Sequence, residues 1–239
     1  MVLPIHKQVV THILNPDVIV FIITAFVSGL GNSVFFNFIY AFINEIMKKS
    51  QTEMTLVVIT AMLMTALMFP WTLSVIKLVR GPIPALIISM FADFIRFLVM
   101  SLDVHFNVLV VIQILRAVSF ALAFAAIMQH TNEISPESIN MTMNGIVLTV
   151  NTPLSNLFVG FVGGKIFEVY GGRNLFLGVS FLCLGWAIIM IAYYGGKKLR
   201  ELYFQHTERN HQSSVCSKDL GIDGPVGISV PNSSQLSQK

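Results

Sequence analysis

Apolar residues run along this chain in long blocks, with polar residues gathered into the short stretches between them. About 20 consecutive, predominantly apolar residues in a helix cross the hydrocarbon core of a bilayer. Six blocks meet that length, at roughly 18 to 46, 55 to 78, 83 to 102, 107 to 130, 142 to 168 and 174 to 196. The pattern predicts an all-α polytopic membrane protein of six transmembrane helices, its longer blocks tilted or extended into the interface. Residues 1 to 17 form an N-terminal segment, and Asn15-Pro16-Asp17 reads as a helix start. This segment lacks the basic, apolar and small-residue succession of a cleaved leader. From residue 197 a short basic and aromatic stretch gives way to Ser, Gly, Asn, Gln, Pro and His, which predicts a disordered tail over 197 to 239.

Composition agrees with the blocks: 54% of residues are hydrophobic, 11% are charged, and Phe occurs 19 times. A soluble domain is excluded. The two cysteines, Cys183 in a span and Cys216 in the tail, supply neither a disulfide framework nor a redox motif. The six histidines are scattered without metal-ligand spacing, and no phosphate-binding loop, nucleophile elbow or paired carboxylates occur. The expectation is no enzyme, no catalytic residue, no metal and no cofactor. Basic residues do not interleave with aromatics as a nucleic-acid surface requires. The bilayer is the first partner.

Charge placement orients the chain, because short loops rich in Lys and Arg stay cytoplasmic. Lys7, Lys77, Arg80, Lys197, Lys198 and Arg200 fall on the side of both termini, against Lys48, Lys49 and Arg173 on the other. Both termini are therefore expected in the cytoplasm. The sequons at Asn140 and Asn232 then lie where glycosylation does not occur.

Three charges break the apolar pattern: Asp93, Arg96 and Arg116. A charge near the bilayer centre costs about 2.5 to 3.5 kcal/mol on insertion scales, so it faces a bundle interior, a partner charge or a water-filled path. Asp93 and Arg96, three residues apart, can pair within one helix turn. Gln113, Arg116 and Ser119 share a face of the fourth span, and Arg116 has no carboxylate within a turn. Asp93 across the helix interface is its first expected partner and an anionic ligand its second.

On the first span Thr24, Ser28, Asn32, Phe36 and Tyr40 recur every four residues, with Gly29, Ser33 and Asn37 beside them. Such a stripe serves either helix packing or the lining of a cavity. The fifth span holds Asn151, Pro153, Ser155 and Asn156, which predicts a bent helix whose irregular backbone is buried or faces a cavity. Gly160, Gly163 and Gly164 follow. Gly160 and Gly164 have the GxxxG spacing that admits close helix packing.

Three stretches carry a family resemblance: Arg116 to Ala126 (RAVSFALAFAA), Ile134-Ser135-Pro136-Glu137, and Gly163 to Gly172 (GGKIFEVYGG). Together they resemble the C-terminal half of a major facilitator superfamily transporter, of the lactose-permease-like group that includes major facilitator superfamily domain-containing protein 6. The resemblance implies one half of the major facilitator fold, built from two three-helix inverted repeats at 18 to 102 and 107 to 196. Sugar-proton symporters of this group carry an arginine facing a histidine and a glutamate. Arg96 matches the arginine, while Arg116 and Ser119 stand at the other two positions. Neither replacement titrates near neutral pH, which removes the group's usual proton route.

Carriers of this superfamily bind solute between two six-helix halves, and this sequence covers one. It therefore reads as a fragment or half of a twelve-span carrier, or as a homodimerising half. Residues 1 to 17 resemble the end of a central loop, which favours the fragment. The implied function is secondary transport of a small polar or anionic solute. Asn32, Phe36, Asp93, Arg96, Arg116, Ser119, Asn151 and Ser155 are the expected binding or coupling residues. A non-transporting membrane scaffold or receptor of transporter ancestry is the alternative.

Overall fold

The computed structural model describes residues 5–45, 50–102 and 105–219, and every regular element among them is helical. In chain order these are α1 (Ile5–Ile13), α2 (Pro16–Glu45), α3 (Gln51–Leu78), α4 (Pro82–Ser101), α5 (Phe106–Ile134) and α6 (Asn140–Thr149). A wide π-helical turn (Val150–Leu154), α7 (Ser155–Phe158), a second wide turn (Val159–Gly163) and α8 (Gly164–Asp219) complete the order.

Local chemistry sets the boundaries. Asn15 accepts the Asp17 amide at 3.2 Å ahead of Pro16, so α2 starts where the sequence places it. Ser50 and Glu53 form a reciprocal capping box at the head of α3, satisfying donors that a helix start leaves orphaned. Between α3 and α4 the chain reverses through Arg80 (φ 65°) and Gly81 (φ 136°) into Pro82. Glycine tolerates that second angle, and proline suits a first helical turn.

Among the described residues, five helical runs are long and apolar enough to cross a membrane. Four match the first four blocks, at Pro16–Asn44, Gln51–Leu78, Pro82–Ser101 and Phe106–Ile134. The last, Asn140–Arg200, is 61 residues long and takes in both the fifth and sixth blocks. It is broken at Gly171, whose backbone (φ 80°, ψ 163°) leaves helical geometry within the loop predicted between 168 and 174. Gly171, the first of the Gly171-Gly172 pair, bends the chain without a turn of loop. Within the N-terminal segment, residues 5 to 13 form α1. Val9 and Ile13 pack on Val18, Ile139 and Met143.

Residues up to Ile191 form one compact unit. Within it α3 and α4 flank α5, and α2 lies against the run from 150 to 163. That run has an unusual burial period. Met143, Val147, Asn151, Ser155, Val159 and Gly163 are all buried, every fourth residue. In an ideal α-helix of 3.6 residues per turn a four-residue stripe drifts around the axis. The two wide turns, each closing i to i+5, unwind the helix enough to hold the stripe against α2. Gly29 is where the approach is closest. A Cβ there would collide with the Asn151 carbonyl and come within 2.6 Å of Ser155 Oγ.

The second unit, Ala192–Lys239, is helical over its described part, to Asp219. The run of Lys, Leu, Arg and Glu at 197 to 202 favours that helix. The rest of the expected tail, residues 220 to 239 with the Asn232 sequon, lies outside the described residues, as do Lys48 and Lys49 of the orientation count.

The apolar core divides into two principal clusters. One gathers Phe35, Ile39, Phe42, Ile43, Val57, Ala61, Phe97, Met100 and Leu109. The other gathers Phe21, Ala25, Ile76, Leu86, Leu122 and Ala126. Along α2, α3, α4 and α5 in turn, Asn32, Thr65, Asp93 and Arg116 fall between the members of the two. A polar layer therefore crosses the bundle between two apolar ones.

Candidate functional site

Four helices supply that layer: Asn32, Phe35 and Phe36 from α2, Thr65 from α3, Asp93 and Arg96 from α4, and Gln113, Arg116, Ser119 and Phe120 from α5. The two guanidiniums are among the largest fully buried side chains, Arg96 at 2% and Arg116 at 1% exposure. Burial this deep requires partners, because an unpaired buried charge is unfavourable by several kcal/mol.

Arg96 finds its partner on its own helix. Its Nη2 lies 3.0 Å from Asp93 Oδ1, one turn away, and its guanidinium sits 4.1 Å from the Phe97 ring centroid. Gly31 of α2 comes up beside this pair, where a Cβ would sit 3.2 Å from the Phe97 ring and 3.8 Å from Asp93 Oδ2.

Arg116 is held differently, and the expected pairing with Asp93 gives way to neutral partners. Its Nη1 donates to Thr65 Oγ1 at 3.3 Å and reaches the Ala61 carbonyl at 3.5 Å, and its Nη2 donates to Asn32 Oδ1 at 3.3 Å. Three rings cover the guanidinium: Phe35 at 4.5 Å, Phe36 at 4.7 Å and Phe120 at 5.7 Å. Cation–π contact of this kind is worth about 0.5 to 2 kcal/mol each, rising as water is excluded. Phe35 also lies 5.6 Å from the Arg96 guanidinium, so one buried ring stands against both cations. No ion pair to Arg116 occurs among the described residues, and the Asp93 carboxylate is paired with Arg96.

Three buried polar atoms in this layer have no hydrogen-bond partner: Arg96 Nε, Arg116 Nε and Gln113 Oε1. The Gln113 amide nitrogen is committed to the Leu109 carbonyl at 2.9 Å. Ser119 is spent on structure, its hydroxyl donating to the Ser89 carbonyl of α4 at 3.0 Å.

Of the eight expected residues, the structure brings Asn32, Phe36, Asp93, Arg96, Arg116 and Ser119 together. Asn151 and Ser155 sit elsewhere, against the backbone of α2. Asn151 Nδ2 donates to the Ala25 carbonyl at 2.7 Å, and Ser155 Oγ donates to Phe26 O at 3.1 Å or Val150 O at 3.0 Å. Asn151 thus ties the wide turn to a carbonyl of α2, and Ser155 reaches either α2 or the Val150 carbonyl at the head of that turn. The glycine seam also differs from expectation. Gly163 is the closely packed position, with a Cβ there 3.0 Å from the Phe38 ring, whereas Gly160 and Gly164 have nothing within 4 Å. Phe35, Thr65 and Phe120 join the site unannounced by spacing arguments. Phe120 alone carried a signal, one turn beyond Arg116 on the same face.

Residues 3–178 match the family model described as the MFS_1 like family. No curated protein and no solved structure matches the chain. With the family model covering more than half of the sequence, and with helical runs long and apolar enough to cross a bilayer, this is an integral multi-pass membrane protein of transporter type, and the chain belongs to the MFS_1 like family of the major facilitator superfamily.

Proposed function

We propose that the protein is a secondary carrier that moves a small anionic solute by alternating access. It acts as one six-helix half, paired with a second half in a longer chain or in a homodimer. The Gly171 break divides the last helical run into a fifth and a sixth span, giving two three-helix repeats at 18–102 and 107–196, both termini cytoplasmic. The stretches at 116–126 and 163–172 support a C-terminal half of the lactose-permease-like group.

The observation that carries this reading is Arg116. It is a buried guanidinium in the polar layer, seated on a hydroxyl, an amide and a carbonyl with no ion-pair partner among the described residues. A fixed cation placed between two apolar clusters attracts an anion and rejects cations. Since guanidinium and serine do not exchange protons near neutral pH, Arg116 serves binding rather than proton coupling, and Ser119 supplies no proton carrier.

The test is uptake into proteoliposomes carrying the full chain, with labelled phosphate, lactate, benzoate and glucose as solutes. Arg116→Ala should abolish uptake of whichever anion is carried. Uptake equal to that of the unaltered protein sinks the proposal. The mass of the detergent-solubilised particle separates the two pairings, since a strict monomer is incompatible with a homodimeric carrier. A second reading, a scaffold without transport, is favoured by the closure of Asp93 on Arg96 within one helix. It requires that none of the solutes accumulate.

A further inference from the structure

Arg116 has bonding capacity left over, and it lies at one end of an aromatic path. A guanidinium carries five N–H donors in a planar fork. Thr65 and Ala61 take those of Nη1, and Asn32 takes one from Nη2. The Nε–H is buried without a partner, and Nη2 holds a second hydrogen. Nε and Nη2 form one edge of the fork, the arrangement that grips both oxygens of a carboxylate.

Along α5, Arg116, Phe120, Phe124, Met128 and Asn132 recur every four residues and so form a stripe on one side of the helix. Beyond Arg116 the stripe enters a cavity of about 580 Å³ between α3 and α5. Phe69, Leu73, Phe124 and Met128 form its apolar wall, and Gln129 and Glu133 stand at its polar end. Phe120 joins the two places. Its ring is 5.7 Å from the Arg116 guanidinium, 6.1 Å from the Phe124 ring and 6.4 Å from the Phe69 ring. Arg116 itself is only 1% exposed, and Phe120 is the ring within reach of both its guanidinium and the cavity's Phe69 and Phe124.

We infer that the solute is an organic anion with a compact apolar body, an aromatic or short aliphatic carboxylate. Its carboxylate takes the Nε–Nη2 edge of Arg116, its body lies among the rings, and Phe120 is the gate between the cavity and that seat. This rests on the transport reading above and adds the chemical class. A sugar needs a donor or acceptor for each hydroxyl, and a polar group left unpaired in the site would be strongly rejected. The rings around Arg116 offer none. Inorganic phosphate would lose its hydration to aromatic faces on most sides.

The experiment measures thermal melting of the full-length protein in detergent with benzoate, 2-naphthoate, oleate, glucose or inorganic phosphate, alongside proteoliposome uptake of the same probes. Benzoate should raise the melting midpoint, and Arg116→Gln should weaken its binding about tenfold or more, the loss of charge-assisted hydrogen bonds. Phe120→Ala should shift preference from benzoate toward 2-naphthoate, a readout that requires a folded, binding-competent protein. Oleate acting in place of benzoate overturns the inference, because a long acyl chain is not a compact body. Benzoate and oleate both without effect overturn the inference. If phosphate or glucose then stabilises and is taken up in an Arg116-dependent way, the transport reading survives alone. If no probe is taken up, both fall.

Discussion

Arg96 and Arg116 occupy the same buried layer and are stabilised by opposite means. Arg96 is neutralised within one turn of its own helix by Asp93, at 3.0 Å. Arg116 is solvated by neutral dipoles from α2 and α3 and by the faces of three rings. The first arrangement is closed: each charge already has its counter-charge, and its outward field is that of a short dipole. The second is open, because dipoles stabilise a cation without cancelling it. A charge meant to hold helices together is best neutralised at once, whereas a charge meant to meet an anion must be kept unneutralised but not unsolvated.

Substitutions that reverse these roles test the distinction. Asp93→Asn should be the most damaging, leaving two buried guanidiniums with no carboxylate in the layer. Removing one partner of a buried pair costs about 3 to 5 kcal/mol, and replacing both, as Asp93→Leu with Arg96→Met, should recover much of that loss. Detergent thermal melting reads both, and a double variant no more stable than Asp93→Asn would contradict the closed-pair description. Arg116→Met should be milder in stability, since it removes charge and hydrogen bonds together and leaves only neutral groups behind. A drop on the order of 1 to 3 kcal/mol is expected, combined with complete loss of anion uptake. A stability loss as large as that of Asp93→Asn would erase the difference between the two sites. Thr65→Val should be smallest, about 1 to 2 kcal/mol for the hydrogen bond accepted from Arg116 and the one donated to the Ala61 carbonyl, with anion affinity lowered by a few-fold. Unchanged affinity there would mean that Thr65 does not position Arg116.

Much of this was legible in the chain. Block lengths located the first four membrane runs to within a few residues, and three-residue spacing exposed the Asp93–Arg96 pair. The partner of Arg116 was not legible, because attraction between opposite charges points to Asp93 while nothing in the sequence says that Arg96 already holds it. Phe35 was hidden for a different reason. It adjoins Phe36 in a span crowded with rings, and only the packing of α4 and α5 on α2 decides which ring meets a cation. Thr65 resembles the other threonines of α3, and like Thr55 and Thr72 it bonds its own helix backbone. Asn151 and Ser155 were polar residues in an apolar span, which is equally the signature of a binding group and of a group repairing a distorted backbone. The break in the last run falls between the fifth and sixth apolar blocks, and Gly171 makes it with a single residue rather than a loop.

The wide turns at Val150–Leu154 and Val159–Gly163 have one more consequence. Each holds a residue more than an α turn, and one residue corresponds to about 100° of rotation about the axis. Closing either turn would swing everything beyond it, carrying Gly163 away from Phe38 and its neighbours off the core. The run from 140 to 170 is therefore threaded like a screw into its seat on α2, with Gly29 as the notch in the nut. A residue inserted or deleted along it would be felt as a turn of the whole shaft, far from the site of the change.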